Sequence, residues 1–158
     1  MKPPLYRTVC LMALALSAVQ PMALSPAAAI DSSVIESLPD LAPIRVKIKA
    51  KDYQSALVDL RKYAETHQHA DIYNLLGFCL RKTGDYANAL TYYKKALDFD
   101  PAHKGAHEYL GELYVETGQL PKAKEHLVIL ERLCPNGCEE REDLQKAVEA
   151  ATATAPKS

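Results

Sequence analysis

Six glycines in a chain of 158 residues leave no room for a glycine-rich phosphate cradle, and no P-loop, GxSxG or HExxH motif is present. An excess of charge of one sign is missing too. Lysine and arginine number 19 against 20 aspartates and glutamates, a formal net charge of -1, whereas a nucleic-acid binder would carry a clear basic excess. Tryptophan is absent. The four cysteines include neither the CxxC of redox enzymes nor a haem-attachment spacing. Paired carboxylates such as Glu112 and Glu116 are a helix face until a pocket is shown. No catalysis and no cofactor is expected.

What the chain has is an N-terminus with a secretory grammar. Lys2 and Arg7 supply a positive end, Val9 to Val19 a short apolar core, and Ala27-Ala28-Ala29 the small side chains of a cleavage site. The apolar run falls well short of the roughly 20 residues that span a bilayer. A cleavable signal over residues 1–29 is therefore expected, with no stable membrane insertion once it is removed. Cys10 precedes most of the apolar core, whereas a lipoprotein cysteine follows it. Loss of Lys2 and Arg7 would take the net charge from -1 to -3 and leave Cys79, Cys134 and Cys138. Export leads to an oxidising compartment, a bacterial periplasm or the exterior, where Cys134 and Cys138 are candidates for a disulfide clip around the Pro135-Asn136-Gly137 turn. Cys79, on an apolar helix face, reads as a buried small hydrophobe.

The rest of the chain repeats itself every 34 residues. Leu76, Gly77, Thr83, Gly84, Ala89 and Pro101 recur as Leu110, Gly111, Thr117, Gly118, Ala123 and Pro135. Chance would give about two identities in such a window at roughly one in twenty per position. Within 70–101 one helix presents Ile72, Leu75, Leu76, Cys79 and Leu80, and Thr83-Gly84 ends it. Asp85 caps a second helix carrying Tyr86, Ala89, Leu90, Tyr93 and Ala96. The unit 104–135 repeats this, with Pro121 in the first turn of its second helix. The small Gly77, Gly111, Ala89 and Ala123 mark where paired helices cross. A degenerate copy occupies 43–68, where Asp52, Tyr53, Ala56 and Leu57 echo Asp85, Tyr86, Ala89 and Leu90. Before Asp52, the spacing of Ile44, Val46 and Ile48 suits a strand as well as a helix. Residues 30–42 read as a tether, 138–151 as an acid-started capping helix and 152–158 as a disordered tail.

These residues carry a family resemblance. Tyr73-x-x-Leu76-Gly77-x-x-Leu80 with Gly84, Tyr86, Ala89, Tyr93, Ala96 and Pro101, and again Leu110-Gly111-x-x-Tyr114 with Gly118, Leu120, Ala123, Leu127 and Pro135, resemble the tetratricopeptide repeat. His107 and Leu130 depart from the pattern, and Pro39 and Pro43 crowd the first helix of the first copy. The resemblance implies an all-α, right-handed superhelical solenoid of about three antiparallel hairpins plus the capping helix. It also implies a concave surface holding a protein or peptide partner, with Asp71, Asn74, Phe78, Arg81, Glu108, Glu112 and Val115 facing the groove. Glu108 and Glu112 stand where cytosolic relatives grip acidic chaperone tails, so a basic or mixed-charge partner is expected instead. In the bland alternative the polar residues are a solvated face and Phe78 packs on a neighbour.

The function expected is thus a non-catalytic binding or assembly module of a cell envelope. A self-associating structural subunit is the alternative, favoured if tyrosines such as Tyr92 or Tyr109 lie exposed at a terminal face. A metal or thiol protein is remote: His103 and His107 beside Glu108 have the i,i+4 spacing of metal ligands but are too few.

Overall fold

The computed structural model describes residues 40–154, so the expected signal, most of the 30–42 tether and the last four residues lie outside the described residues. The order is α1 (Ala42–Lys49), α2 (Tyr53–Thr66), α3 (Ala70–Lys82), α4 (Tyr86–Phe99), α5 (Lys104–Glu116), α6 (Leu120–Leu133) and α7 (Glu139–Thr154), and no strand occurs among the described residues. The chain is an all-α solenoid: α1/α2, α3/α4 and α5/α6 are successive hairpins, and α7 packs on both α5 and α6. Two boundaries differ from expectation. Helix α1 begins at Ala42, inside the expected tether, because Pro43 suits a first turn where no N–H is needed. Helix α7 runs to Thr154, three residues into the expected tail.

The ambiguous segment before Asp52 is helical because its apolar residues are used at i,i+4. Ile44 is buried and Ile48 packs on the core, while Val46 between them is 66% exposed.

All three hairpins turn the same way. Gly84 (φ 85) and Gly118 (φ 72) hold the left-handed conformation that glycine takes without steric cost, and Lys51 (φ 60) takes it in the first hairpin. The residue after each turn leads into the second helix. Asp52 and Asp85 accept hydrogen bonds from the Ser55 and Asn88 amides at 3.2 Å, satisfying N-terminal donors that the helix itself cannot. Gln119 offers no side-chain cap to α6, which instead has Pro121 in its first turn.

Fully buried Leu60, Ile72, Leu76, Cys79, Tyr93, Leu130 and Leu144 link the hairpins into one core. Burial pushes the Cys79 thiol up to about 12, so it is an inert hydrophobe. Leu76, Leu110 and Leu144 are spaced by the repeat length, as are Tyr114 and Val148. Helix α7 therefore stands in the register of a next first helix, a continuation that the sequence identities did not reveal.

Glycine is required at two crossings. A Cβ on Gly77 would lie 2.6 Å from ring carbons of Tyr93, and one on Gly111 would lie 2.5 Å from a methyl of Leu144. The Gly111 crossing thus seats the capping helix. Between α6 and α7, Cys134 and Cys138 are disulfide-bonded across a turn containing Gly137 (φ 96), their Cα atoms 6.0 Å apart.

Candidate functional site

Helices α3, α5 and α7 pack side by side, α5 between the other two. The face they share carries the side chains that sequence reasoning assigned to recognition, but several of these are engaged with neighbouring side chains.

Arg81, at the end of α3, is the centre of the arrangement. Its side chain is 1% exposed and reaches across to α5, where Nη2 donates to Glu112 and Nη1 donates to Glu116 at 2.6 Å. Its guanidinium carbon lies 5.7 Å from the ring centres of both Phe78 and Tyr109. Burial opposes its charge, while Tyr93, Glu112 and Glu116 more than restore it and raise its pKa. A guanidinium set beside two rings, with its fork of donors fixed in one plane, is suited to holding two carboxylates at once. Arg81 is therefore a strut between repeats rather than a free anchor.

Phe78 follows the bland reading. It meets Tyr109 at 4.8 Å between ring centres and Tyr53 at 6.2 Å, with Lys82 Nζ 5.3 Å above the ring. Val115 is half-buried against the core. Tyr109 and Tyr92, candidates for an exposed terminal face, are likewise packed on the core. Burial pushes the Tyr109 hydroxyl up to about 12, with the carboxylates of Glu108 and Glu112 adding to it.

Asp71 opens the face at the start of α3. Its carboxyl accepts from His103 Nε2 at 3.1 Å, and that bond, more than any other cause, holds it below the usual carboxylate range. His103 caps α5, its Nδ1 accepting from the Ala106 amide at 3.0 Å, so the proton on the ring belongs on Nε2. His107 instead faces His126, the two Nδ1 atoms 2.9 Å apart, while its Nε2 donates to the Pro101 carbonyl at 3.0 Å. His103 and His107 thus point to different partners. Among the described residues no three His, Cys, Asp or Glu side chains converge as a metal site would need. Burial, with His107 second, pushes His126 down to about 4.

Asn74 and Glu108 are the exceptions. Both are more than nine-tenths buried, at 6% and 8% exposure, yet the Asn74 side-chain oxygen has no hydrogen-bond partner and Glu108 makes neither a hydrogen bond nor an ion pair among the described residues. Burial first, then the carboxylates of Glu112, Asp143 and Glu140, push Glu108 up to about 8. The acidic contribution of α7 to this face was not found by sequence reasoning, because only the helix packing brings Glu140 and Asp143 beside Glu108.

Two cavities lie away from this row. One of about 250 Å³ is lined by Arg61, Ala64, Glu65, Tyr73, Tyr92 and Lys95, and another of about 180 Å³ by Tyr86 and Leu90 of α4, Tyr114 of α5 and Thr117 and Gln119 of the following turn, among others. Lys95 already lies 4.2 Å over the Tyr73 ring centre. No helix among the described residues is long and apolar enough to cross a membrane.

Stacked helix hairpins with small residues at the crossings define a helical-repeat scaffold. Residues 70–103 match the tetratricopeptide repeat model. Residues 70–103 are thus a tetratricopeptide repeat, and the fold is similar to that of solved tetratricopeptide-repeat structures. It is 34% identical over 80 residues to the BBSome complex member BBS4 of Bos taurus, a match covering 51% of this chain and 15% of that relative's length. The fold is similar to the type III secretion chaperone SycD of Yersinia enterocolitica in complex with a peptide of the translocator YopD, with TM-score 0.61 and 19% identity over 70% of this chain and 88% of that one. It is equally similar to the first such domain of Spaghetti (RPAP3) bound to the HSP90 peptide SRMEEVD, with TM-score 0.61, 17% identity and coverage of 70% and 88%.

Proposed function

We propose that this chain is a non-catalytic peptide- or protein-binding module, that the α3/α5/α7 face is its binding surface, and that the partner segment is basic or of mixed charge. The observation that carries this reading is the surplus of acid on that face. Arg81 is consumed by Glu112 and Glu116, while among the described residues Glu108, Glu140 and Asp143 have no basic side chain bonded to them except Lys146, an exposed neighbour of Asp143 on its own helix. Such a field attracts cationic segments and repels acidic ones. Peptide binding by the SycD chaperone and by the Spaghetti (RPAP3) domain, both of similar fold, supports the general mode. The acidic tail SRMEEVD is the opposite of what this face would accept. A panel of fluorescent peptides matched in length tests the reading. Basic peptides bind in preference to acidic ones, more weakly as salt rises, and a preference for acidic C-termini would overturn it.

The module is proposed to work after export, in a cell envelope or outside the cell. The N-terminal residues and the Cys134–Cys138 bridge support that compartment, since disulfides persist where thiols are not kept reduced. A self-associating structural role is a second reading, favoured by Val46 and Val58, each 66% exposed on the first hairpin. Sedimentation across a concentration series distinguishes it, because a concentration-independent monomer contradicts self-assembly.

A further inference from the structure

Asn74 and Glu108 are 34 residues apart, so they hold the same position on the first helices of successive repeats. They share a second property. The Asn74 side-chain oxygen is buried with nothing donating to it, and Glu108, itself more than nine-tenths buried as a residue, makes no hydrogen bond or ion pair among the described residues. Buried polar atoms are ordinarily paired, and each exception calls for a reason. Asn74 reaches α5 at its first turn, where its Nδ2 would be 3.2 Å from a Cβ on Gly105, so its carboxamide lies about one turn before Glu108.

The titratable groups facing Glu108 are Tyr109 and Glu112 on α5, Arg81 on α3 and Glu140 and Asp143 on α7. Arg81 is the one cation of that group, and both its terminal nitrogens are held by Glu112 and Glu116. A carboxyl group surrounded by acids, largely withdrawn from water and given no donor favours the neutral acid. It is also the place on the face where an added cation gains most, because Glu112, Glu140 and Asp143 all attract it.

We infer that Glu108 is the docking point for a single lysine or arginine side chain of the partner segment, and that the carboxyl group releases its proton to solvent as the cation arrives. This rests on the binding face described under the proposed function. Binding is then linked to pH. The proton that burial keeps on free Glu108 is lost in the complex, so affinity rises with pH by up to about tenfold per unit and levels off near the free carboxyl's own titration. At pH 7, with that titration at about 8, close to one proton leaves for each segment bound.

The test is calorimetry of the full chain at pH 7 in two buffers of different ionisation heat. The probes are blocked dodecapeptides of one leucine-containing sequence carrying four lysines, four acetyl-lysines or four glutamines. Expected is release of close to one proton with the lysine peptide alone, tightening of its affinity from pH 6 to 8, and loss of both effects in Glu108→Gln. That variant mimics the neutral acid in size and charge, and the proton count on the unaltered protein does not depend on it. A lysine peptide that binds without proton release, and equally well to Glu108→Gln, overturns the inference while leaving the binding face intact. Failure of every basic probe to bind overturns the face and the inference together.

Discussion

Substituting Gly111 with alanine probes how the last helix is seated. The added Cβ would stand 2.5 and 2.6 Å from the two methyls of Leu144, about an ångström closer than carbon atoms normally pack. Leu144 is fully buried, so its side chain cannot relieve the contact by swinging into solvent. Overpacking of this kind costs about 1–3 kcal/mol. Alanine recovers about 1 kcal/mol of helix propensity over glycine. The net loss expected for Gly111→Ala is therefore about 1 kcal/mol, and it falls on α7, which sits at the end of the stack and can shift outward. Gly77→Ala should cost more, about 2 kcal/mol, because its obstacle is the rigid, fully buried ring of Tyr93 between two repeats. Leu144→Ala alone should cost about 2–5 kcal/mol by opening a cavity. In Gly111→Ala/Leu144→Ala the new methyl enters the space the leucine left, so the double variant should lose at least about 1 kcal/mol less than the sum of the singles. Urea unfolding measures the four stabilities, and amide exchange locates the early opening in α7. A Gly111→Ala protein more stable than the parent, or strict additivity in the pair, would refute the close approach.

Other consequences can be measured in the same way. Arg81→Met should destabilise by about 3 kcal/mol, since it strips a buried cation from two carboxylates and two rings, and a urea midpoint equal to the parent's would contradict the strut. Reducing the Cys134–Cys138 bridge should add two hydrogens by mass and remove about 2 kcal/mol by freeing a short loop in the unfolded chain, so an unchanged urea midpoint would contradict the clip. Stability should also follow two opposed titrations. The raised Glu108 is lost as a stabilising group as pH climbs from its ordinary 4.5 through about 8, and the lowered His126 is lost as pH falls from its ordinary 6.5 through about 4. Between 4.5 and 6.5 the two slopes cancel, and from 6.5 to 8 Glu108 alone acts, costing about 1.4 kcal/mol per unit. Glu108→Gln should flatten the alkaline slope, and an unaltered profile would show that Glu108 is ionised in the free protein.

The hairpins were legible because each rests on a local signal. Gly84, Gly118, Asp85 and Pro121 announce the turns, caps and starts of helices from their own covalent chemistry, and the structure ends or begins helices beside each of them. The first hairpin was harder to read since Lys51 occupies the turn position that glycine marks elsewhere. The recognition row was legible as positions but not as roles. Side-chain spacing on α3 cannot reveal that Arg81 finds Glu112 and Glu116 some 31 and 35 residues away, because that choice depends on how far one hairpin rotates against the next. The orphaned state of Asn74 and Glu108 is likewise a property of packing, invisible until the neighbouring helices are in place.

Helix α7 keeps the register of Leu76 and Leu110 through Leu144 but turns Glu142, Gln145, Lys146 and Glu149 to solvent. In the language of polymers it is a chain terminator: it binds the growing end like a monomer and then offers no reactive end of its own. Another hairpin, or another molecule, laid on that surface would have to strip water from carboxylates and an ammonium with no apolar gain in return. Growth of the stack into filaments from this end is disfavoured by the same residues that let the helix dock.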